Sequence, residues 1–237
     1  MYFEDRVDAG RRLARRLQEG GYTGEDTVVV GLPRGGVPVA YEVAAALGAP
    51  LDVCIVRKVG APSYPELGLG AVAEGGVVSL NRQLMDEMDV TEDDLRGPIR
   101  QKAREVEERV ARFRQGSAPP RREGQCIILV DDDIATGATI RAALQVLRAW
   151  KPARLVLAVP VADTLTLNGL RPLVDDVVCA FSTRELCSIG QWYADFRQVP
   201  DEEVTDLLAA ARSTFARRPS PATGAGHPEP PRGMGPA

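Results

Sequence analysis

Apolar residues along this chain fall into two rhythms. Short continuous runs at 27–32, 51–56, 126–130, 155–160 and 177–181 are bounded by glycine, proline or acids, which predicts buried strands. Between them lie stretches with helical spacing, at 4–19, 37–47, 138–150, 163–174 and from 201 to 215. Phe3, Val7, Leu13, Ala14 and Leu17 mark the inner face of the first, which Gly20 and Gly21 end; Gly48 closes the second. Strands alternating with helices predict an α/β fold, a doubly wound and mainly parallel sheet. Residues 27–56 form its first strand-helix-strand unit.

The alternation breaks in the middle of the chain. Residues 60–66 are rich in glycine and proline and read as a mobile loop. Residues 68–73 and 77–80 flank Glu74-Gly75-Gly76 and predict a short antiparallel hairpin. Residues 81–118 are charged and helical: Thr91 to Asp94 resembles a capping box, Gly97-Pro98 interrupts, and 99–113 carries a narrow stripe of Val106, Val110 and Phe113. This segment reads as a helical insertion subdomain covering one face of the core, or equally as a solvated spacer between two core halves. The main domain is expected over 1–216; the tail at 217–237, rich in proline and glycine, is expected to be disordered and holds the single histidine, His227.

Composition narrows the function. With 237 residues, 44% of them hydrophobic, there is material for a large core. A net charge of -4 argues against a nucleic-acid or acidic-membrane surface and toward a small-molecule partner. Cys54, Cys126 and Cys179 sit in apolar runs and Cys187 stands apart, with no C-x-x-C pair, as in a reducing compartment. No apolar run reaches the length of a membrane span and the N-terminus is charged, so the expected location is the cytoplasm.

The candidate chemistry gathers after the run Cys126-Ile-Ile-Leu-Val130. Asp131, Asp132 and Asp133 follow it, and then Ala135-Thr136-Gly137-Ala138-Thr139 opens a helix. Carboxylates at a strand end suit diol hydroxyls or a hydrated cation; small residues at a helix start let a phosphate reach the backbone N–H groups. A mere helix cap would need one acid, and here there are three. At the end of the 27–32 strand stands Arg34-Gly35-Gly36, where glycines admit an anion to the backbone and the arginine adds a forked donor. Arg57 and Lys58 precede the expected mobile loop.

Residues 126–139 resemble the phosphoribosyl-diphosphate (PRPP) signature of type I phosphoribosyltransferases, and residues 31–38 resemble the family's diphosphate loop. The likeness extends in outline over 27–181. It implies that Asp131 and Asp132 face the ribose hydroxyls and hold Mg2+, directly or through water, and that residues 135–139 hold the 5-phosphate. It further implies that Arg34, Gly35, Gly36 and Lys58 bind the diphosphate, and that the loop from Gly60 to about Leu69 closes over the site. The implied activity is pentosyl transfer from PRPP to a nitrogenous base, as in nucleotide salvage, with Arg34, Lys58, Asp132 and Glu66 as catalytic candidates. Asp133 stands where the family more often has an apolar or small residue. Ala135 replaces the acid that 6-oxopurine enzymes place there, which leaves Glu66 or Glu74 to handle the acceptor's proton. Trp192, Tyr193 and Phe196 either stack on a base or pack the C-terminal helix. Two rivals are a PRPP-binding regulator without turnover and a haloacid dehalogenase-type phosphatase built on Asp131-x-Asp133. A homodimer is left open.

Overall fold

The computed structural model describes residues 3–62, 64–120, 122–184 and 189–216. The tail beyond 216 and Cys187 lie outside them. One parallel sheet contains β1 (Thr27–Gly31), β2 (Leu51–Val53), β6 (Cys126–Val130), β7 (Arg154–Asp163) and β8 (Asp176–Thr183), in the spatial order β2-β1-β6-β7-β8. Alternate residues of each strand feed opposite faces, as the two-residue period requires. Val29, Ile128, Val130, Val156 and Ala158 pack with α1 (Arg6–Glu19), α2 (Gly36–Leu47) and α7 (Asp201–Ala216). Val28, Val30, Ile127, Leu129, Leu155 and Leu157 pack with α5 (Ala138–Ala149) and α6 (Thr164–Leu170). The doubly wound expectation is met.

A second, antiparallel sheet stands apart from the first and holds β3 (Val56–Ala61), β4 (Tyr64–Ala73) and β5 (Val77–Leu80), with β4 in the middle. It corrects two expectations. The run at 51–56 is not one strand: β2 stops at Val53, where Cys54 N donates to Gly31 O, and the chain turns away before β3 begins. Residues 60–66 are not an irregular loop either, because β3 pairs with β4 across a short turn. Gly60, which read as a breaker, pairs with Gly68 through a register shift, and Gly70, opposite Val59, has no room for a side chain because a methyl there would meet Leu80 Cδ2 at 2.7 Å. Ser63 in that turn lies outside the described residues. The hairpin of β4 with β5 forms as expected around Glu74-Gly75-Gly76.

The inserted segment forms α3 (Arg82–Glu87) and α4 (Glu92–Arg114). The Thr91–Asp94 capping box is present. The break at Gly97-Pro98 is not, since α4 runs straight through Pro98. A proline there loses the bond to the carbonyl of residue 94 and crowds that carbonyl with its ring, but buried Leu95, Val106 and Phe113 hold the helix on both sides of it. Those three side chains belong to the same core as Val59, Leu69 and Val72 of the antiparallel sheet. The segment thus packs over that sheet as a cover.

Four buried charges bolt this cover to the main sheet. Asp52 of β2 and Glu74 are 5% and 8% exposed, and each meets both Arg114, at the end of α4, and Arg122, ahead of β6. Arg114 Nε lies 3.1 Å from Asp52 Oδ1 and Arg122 Nη1 2.7 Å from Glu74 Oε1. Arg122 also lies flat on Trp150, 3.5 Å from the ring centre. Removing one member strands its partners' charge in the interior. Asp52→Ala and Glu74→Ala should each cost about 3–5 kcal/mol in urea unfolding, whereas Arg82→Ala, in an exposed pair with Glu92, should change little. Equal losses at both places would contradict the account.

Candidate active site

The site is assembled by strand pairing. β1 and β6 are parallel neighbours in register from Thr27↔Cys126 to Gly31↔Val130, so the segments leaving their carboxyl ends emerge side by side. Leu32 N donates to Val130 O at 3.0 Å and continues the pairing one residue past the strand. The Pro33–Arg34 peptide is cis. Gly35 and Gly36 then lie directly on the acids. A methyl on Gly36 would stand 2.8 Å from Val130 O and 2.9 Å from Asp131 Cα; one on Gly35 would stand 2.5 Å from Asp132 Cγ. Both glycines are needed for this approach.

Beyond the acids, Ile134 bridges to Ala162 and the chain turns into α5 at Gly137, whose φ of 69° is left-handed. No side chain caps α5, so the first N–H groups of its opening turn lack a side-chain partner. Ala135, Thr136 and Ala138 are exposed and Thr139 is half-buried, which leaves the turn open to a ligand. Thr166 Oγ1 donates to Ala135 O at 2.8 Å and steadies the turn from α6.

The three acids are not equivalent. Burial, followed by the charges of Asp132 and Asp133, holds the Asp131 carboxyl well above the usual carboxylate range. Burial and the charge of Asp132 push Asp133 up to about 7, against the opposing influence of Arg6. Asp132 carries a counterion: Arg6 Nε donates to its Oδ2 at 2.8 Å. Arg6 also lies over the Phe196 ring, 4.1 Å from its centre, and Tyr193 donates its hydroxyl to Asp132 O at 2.6 Å. Sequence reasoning missed both Arg6 and this use of the Tyr193 hydroxyl. Arg6 offered one weak signal, a cation in the first turn of α1, where the helix dipole disfavours it.

Of the predicted site residues, the structure brings Gly35 and Gly36 onto Asp131 and Asp132, with residues 135–139 following the acids, while the Arg34 guanidinium turns to Asp201 of α7 at 3.8 Å. Lys58 is exposed and borders a groove with Ala138 and Arg141, so it flanks α5. Its neighbour Arg57 points to the other face of β3, toward α4, and feels the charge of Arg34. The Glu66 side chain lies outside the described residues. Glu74 is bound by Arg114 and Arg122 and is not free to act as a base. Tyr193 is buried against Phe3 and Phe196, and Trp192 lies beside Phe181. This cluster packs the chain's first residues to residues 192–196 and not α7 to the core.

Among the described residues, no group of three or more His, Cys, Asp and Glu could enclose a metal ion. The donors at Asp131 and Asp132 are all oxygen, and the Asp131 carboxyl lacks a cationic partner of its own. That set fits Mg2+, which is commonly held by one or two carboxylates and completed by water and ligand phosphates.

A carboxylate cluster, an uncapped helix start and an arginine-glycine loop stand at the carboxyl edge of adjacent parallel strands, where open α/β sheets place their ligands. The family model described as phosphoribosyl transferase domain matches residues 3–166, and the chain belongs to that family. Two Mycobacterium tuberculosis proteins, "Putative phosphoribosyl transferase MT0597" of strain CDC 1551 and "Putative phosphoribosyl transferase Rv0571c" of strain H37Rv, are each 43% identical over 214 residues. The match takes in 90% of this chain and 48% of each relative, so the chain spans about half their length. The crystal structure of the Thermus thermophilus protein TT1426 is 40% identical and superposes with a TM-score of 0.79, covering 89% of this chain and 99% of that one. Among the described residues, no helix is long and apolar enough to cross a membrane.

Gly36→Ala drives a methyl into backbone that cannot yield and should lose about 1–3 kcal/mol of stability. Gly97→Ala, in open space on α4, should gain up to about 1 kcal/mol; a Gly36→Ala variant as stable as the parent would refute the close approach. The acids also impose a pH dependence. Asp133 ionises near 3.8 when unfolded and at about 7 when folded. The folded chain therefore holds the extra proton between those values. The stability contribution is full below about pH 4 and is lost as pH rises through about 7. Without ligand the melting temperature should fall between about pH 4 and about pH 7, and Asp133→Asn should remove up to about 1.4 kcal/mol per pH unit of that slope. An unchanged slope in the variant would count against the assignment.

Proposed function

We propose that this protein binds PRPP with Mg2+ and transfers its 5-phosphoribosyl group to a nitrogenous base, releasing diphosphate. The observation that carries this reading is the uncapped start of α5, following the carboxylates and facing the Arg34–Gly36 loop across one strand pairing. The backbone N–H groups at 136–139 hold the 5-phosphate, with the Thr136 and Thr139 hydroxyls as added donors. Asp131 and Asp132 accept from the ribose hydroxyls and are the residues that would hold Mg2+, which when bound neutralises charge on the departing diphosphate. Arg34 and the N–H groups of Gly35 and Gly36 receive that diphosphate. Lys58 approaches from the α5 side. Arg6, by fixing Asp132, keeps one ribose contact in place. The β3–β4 hairpin, standing where a closing loop was expected, is the element that excludes water from the anomeric carbon.

One observation favours a second reading, in which PRPP is bound and not turned over. Ala135 supplies no acid, and Glu74 is locked in an ion network. Glu66 is the remaining candidate for the proton. No feature of the site favours the phosphatase alternative.

Calorimetry on the full chain should show Mg2+-dependent PRPP binding that Arg34→Ala and Asp132→Asn each weaken by about tenfold or more. A well-folded protein that takes up no PRPP would overturn the proposal. Diphosphate release, screened over purine, pyrimidine and other ring-nitrogen acceptors, then separates the readings: release with one acceptor, lost in Glu66→Gln, supports the transferase. Tight binding with silence toward every acceptor supports the regulator.

A further inference from the structure

Beside the Arg34 loop, three guanidinium groups lie within 4.0 Å of one carboxylate and a fourth stands close by. Asp201, at the start of α7, is 14% exposed. Arg112 Nη1 of α4 lies 2.7 Å from its Oδ2; Arg34 Nη1 and Arg109 Nη1 lie 3.8 and 4.0 Å from its Oδ1. Arg57 of β3 completes the group, its own charge disfavoured by burial and by Arg109 and Arg34. Between α4 and α7 the cluster opens into a cleft of about 410 Å3, bordered by Arg57, Arg109, Arg112 and Asp201 with Glu105 and Glu108.

Two features set this cluster apart from an ordinary ion network. Asp201 Oδ1 is buried and has no hydrogen-bond partner, although two arginines stand just beyond bonding distance. In the Asp52–Glu74–Arg114–Arg122 group Glu74 Oε2 also has no hydrogen-bond partner, but Arg114 Nη2 stands 2.7 Å from it, whereas the arginines facing Asp201 Oδ1 stand off at 3.8 and 4.0 Å. The positive charge also exceeds what its acids absorb. Glu105 is shared between Arg57 at 3.8 Å and Lys102 at 2.8 Å, Glu202 touches Arg112 alone, and Glu108 is exposed. Guanidinium groups held apart around a single small carboxylate are spaced for a larger anion with several oxygens.

We propose that Arg109 and Arg112 of the inserted helix, with Arg57, extend the Arg34 loop into a diphosphate-binding cleft, and that Asp201 is the built-in anion that a diphosphate displaces. The inference rests on the reading of Arg34 to Gly36 as the diphosphate loop and adds the inserted helix to the binding machinery. Asp201 shields the arginines from mutual repulsion in the free protein and competes with the ligand for them. Its removal therefore has the opposite sign to theirs.

The test is calorimetric titration of inorganic diphosphate with Mg2+ into the full chain, with thermal melts to confirm folding. Arg109→Ala and Arg112→Ala should each weaken binding about tenfold, Arg112→Lys should retain most of it, and Asp201→Asn should tighten it. A purely structural Asp201 would make Asp201→Asn weaken binding together with the arginine variants, and that result overturns the proposal. So does loss in Arg34→Ala alone, with Arg109→Ala and Arg112→Ala binding as the parent does; the transferase reading survives that outcome. Absence of both diphosphate and PRPP binding in the parent chain removes the two readings together.

Discussion

The site depends first on β1 and β6 being adjacent, parallel and in register. Neighbouring strands lie only about 4.8 Å apart, so whatever leaves their carboxyl ends shares one small volume. Here that volume must admit a turn from β1 and three acids from β6. It does so because the first has glycines where the second has carboxylates. Gly31 continues the pattern inward: a methyl there would stand 3.0 Å from the Ala40 Cβ, so its absence lets α2 settle close behind the loop. Glycine placement thus sets both the loop's path and the helix that supports it.

Electrostatics then divides the molecule into satisfied and unsatisfied regions. The four-charge group joining β2, Glu74, α4 and the approach to β6 is buried and mutually paired. At the carboxyl edge the opposite holds. Asp131 and Asp133 crowd Asp132, which has one arginine, and across the Arg34 loop three guanidinium groups surround Asp201 with Arg57 nearby. Like charges concentrated on either side of one loop cost stability, and a fold tolerates such local conflict where a ligand resolves it. On the proposed function, a ligand with a hydroxylated sugar at one end and multiple anionic oxygens at the other would meet both accumulations at once.

Local signals make much of this legible in the sequence. Continuous apolar runs mark the parallel strands because both of their faces are buried. The acids after residue 130 and the glycines after residue 34 mark the site because close approach of a ligand to backbone demands those residue types. What sequence reasoning misses is decided over long range. Arg6 meets Asp132 across 126 positions, and Asp201 meets Arg34 through an ion pair that no spacing announces. Pro98 reads as a break because its cost is local, while Leu95, Val106 and Phe113, which outweigh it, act through tertiary burial. The strand run at 51–56 divides because hydrophobicity does not say which sheet a residue joins. Gly60 resembles a loop residue when it is a partner in an irregular strand pair.

The last turns of α4 join the satisfied region to the unsatisfied one. Arg112 and Arg114 are two residues apart and so point about 200° from one another around the helix. Arg114 therefore enters the buried group with Asp52 and Glu74, while Arg112 faces Asp201. Basic residues at a helix C-terminus are favoured by the dipole in any case, but burial of one and convergence of the other on Arg34's counterion are not explained by the dipole. The anchored arginine fixes the height of the helix end above β2, and that fixes where the second arginine stands relative to the loop after β1. In this way an inserted helix, remote in sequence from both signature segments, is held in register with the edge of the sheet where they meet.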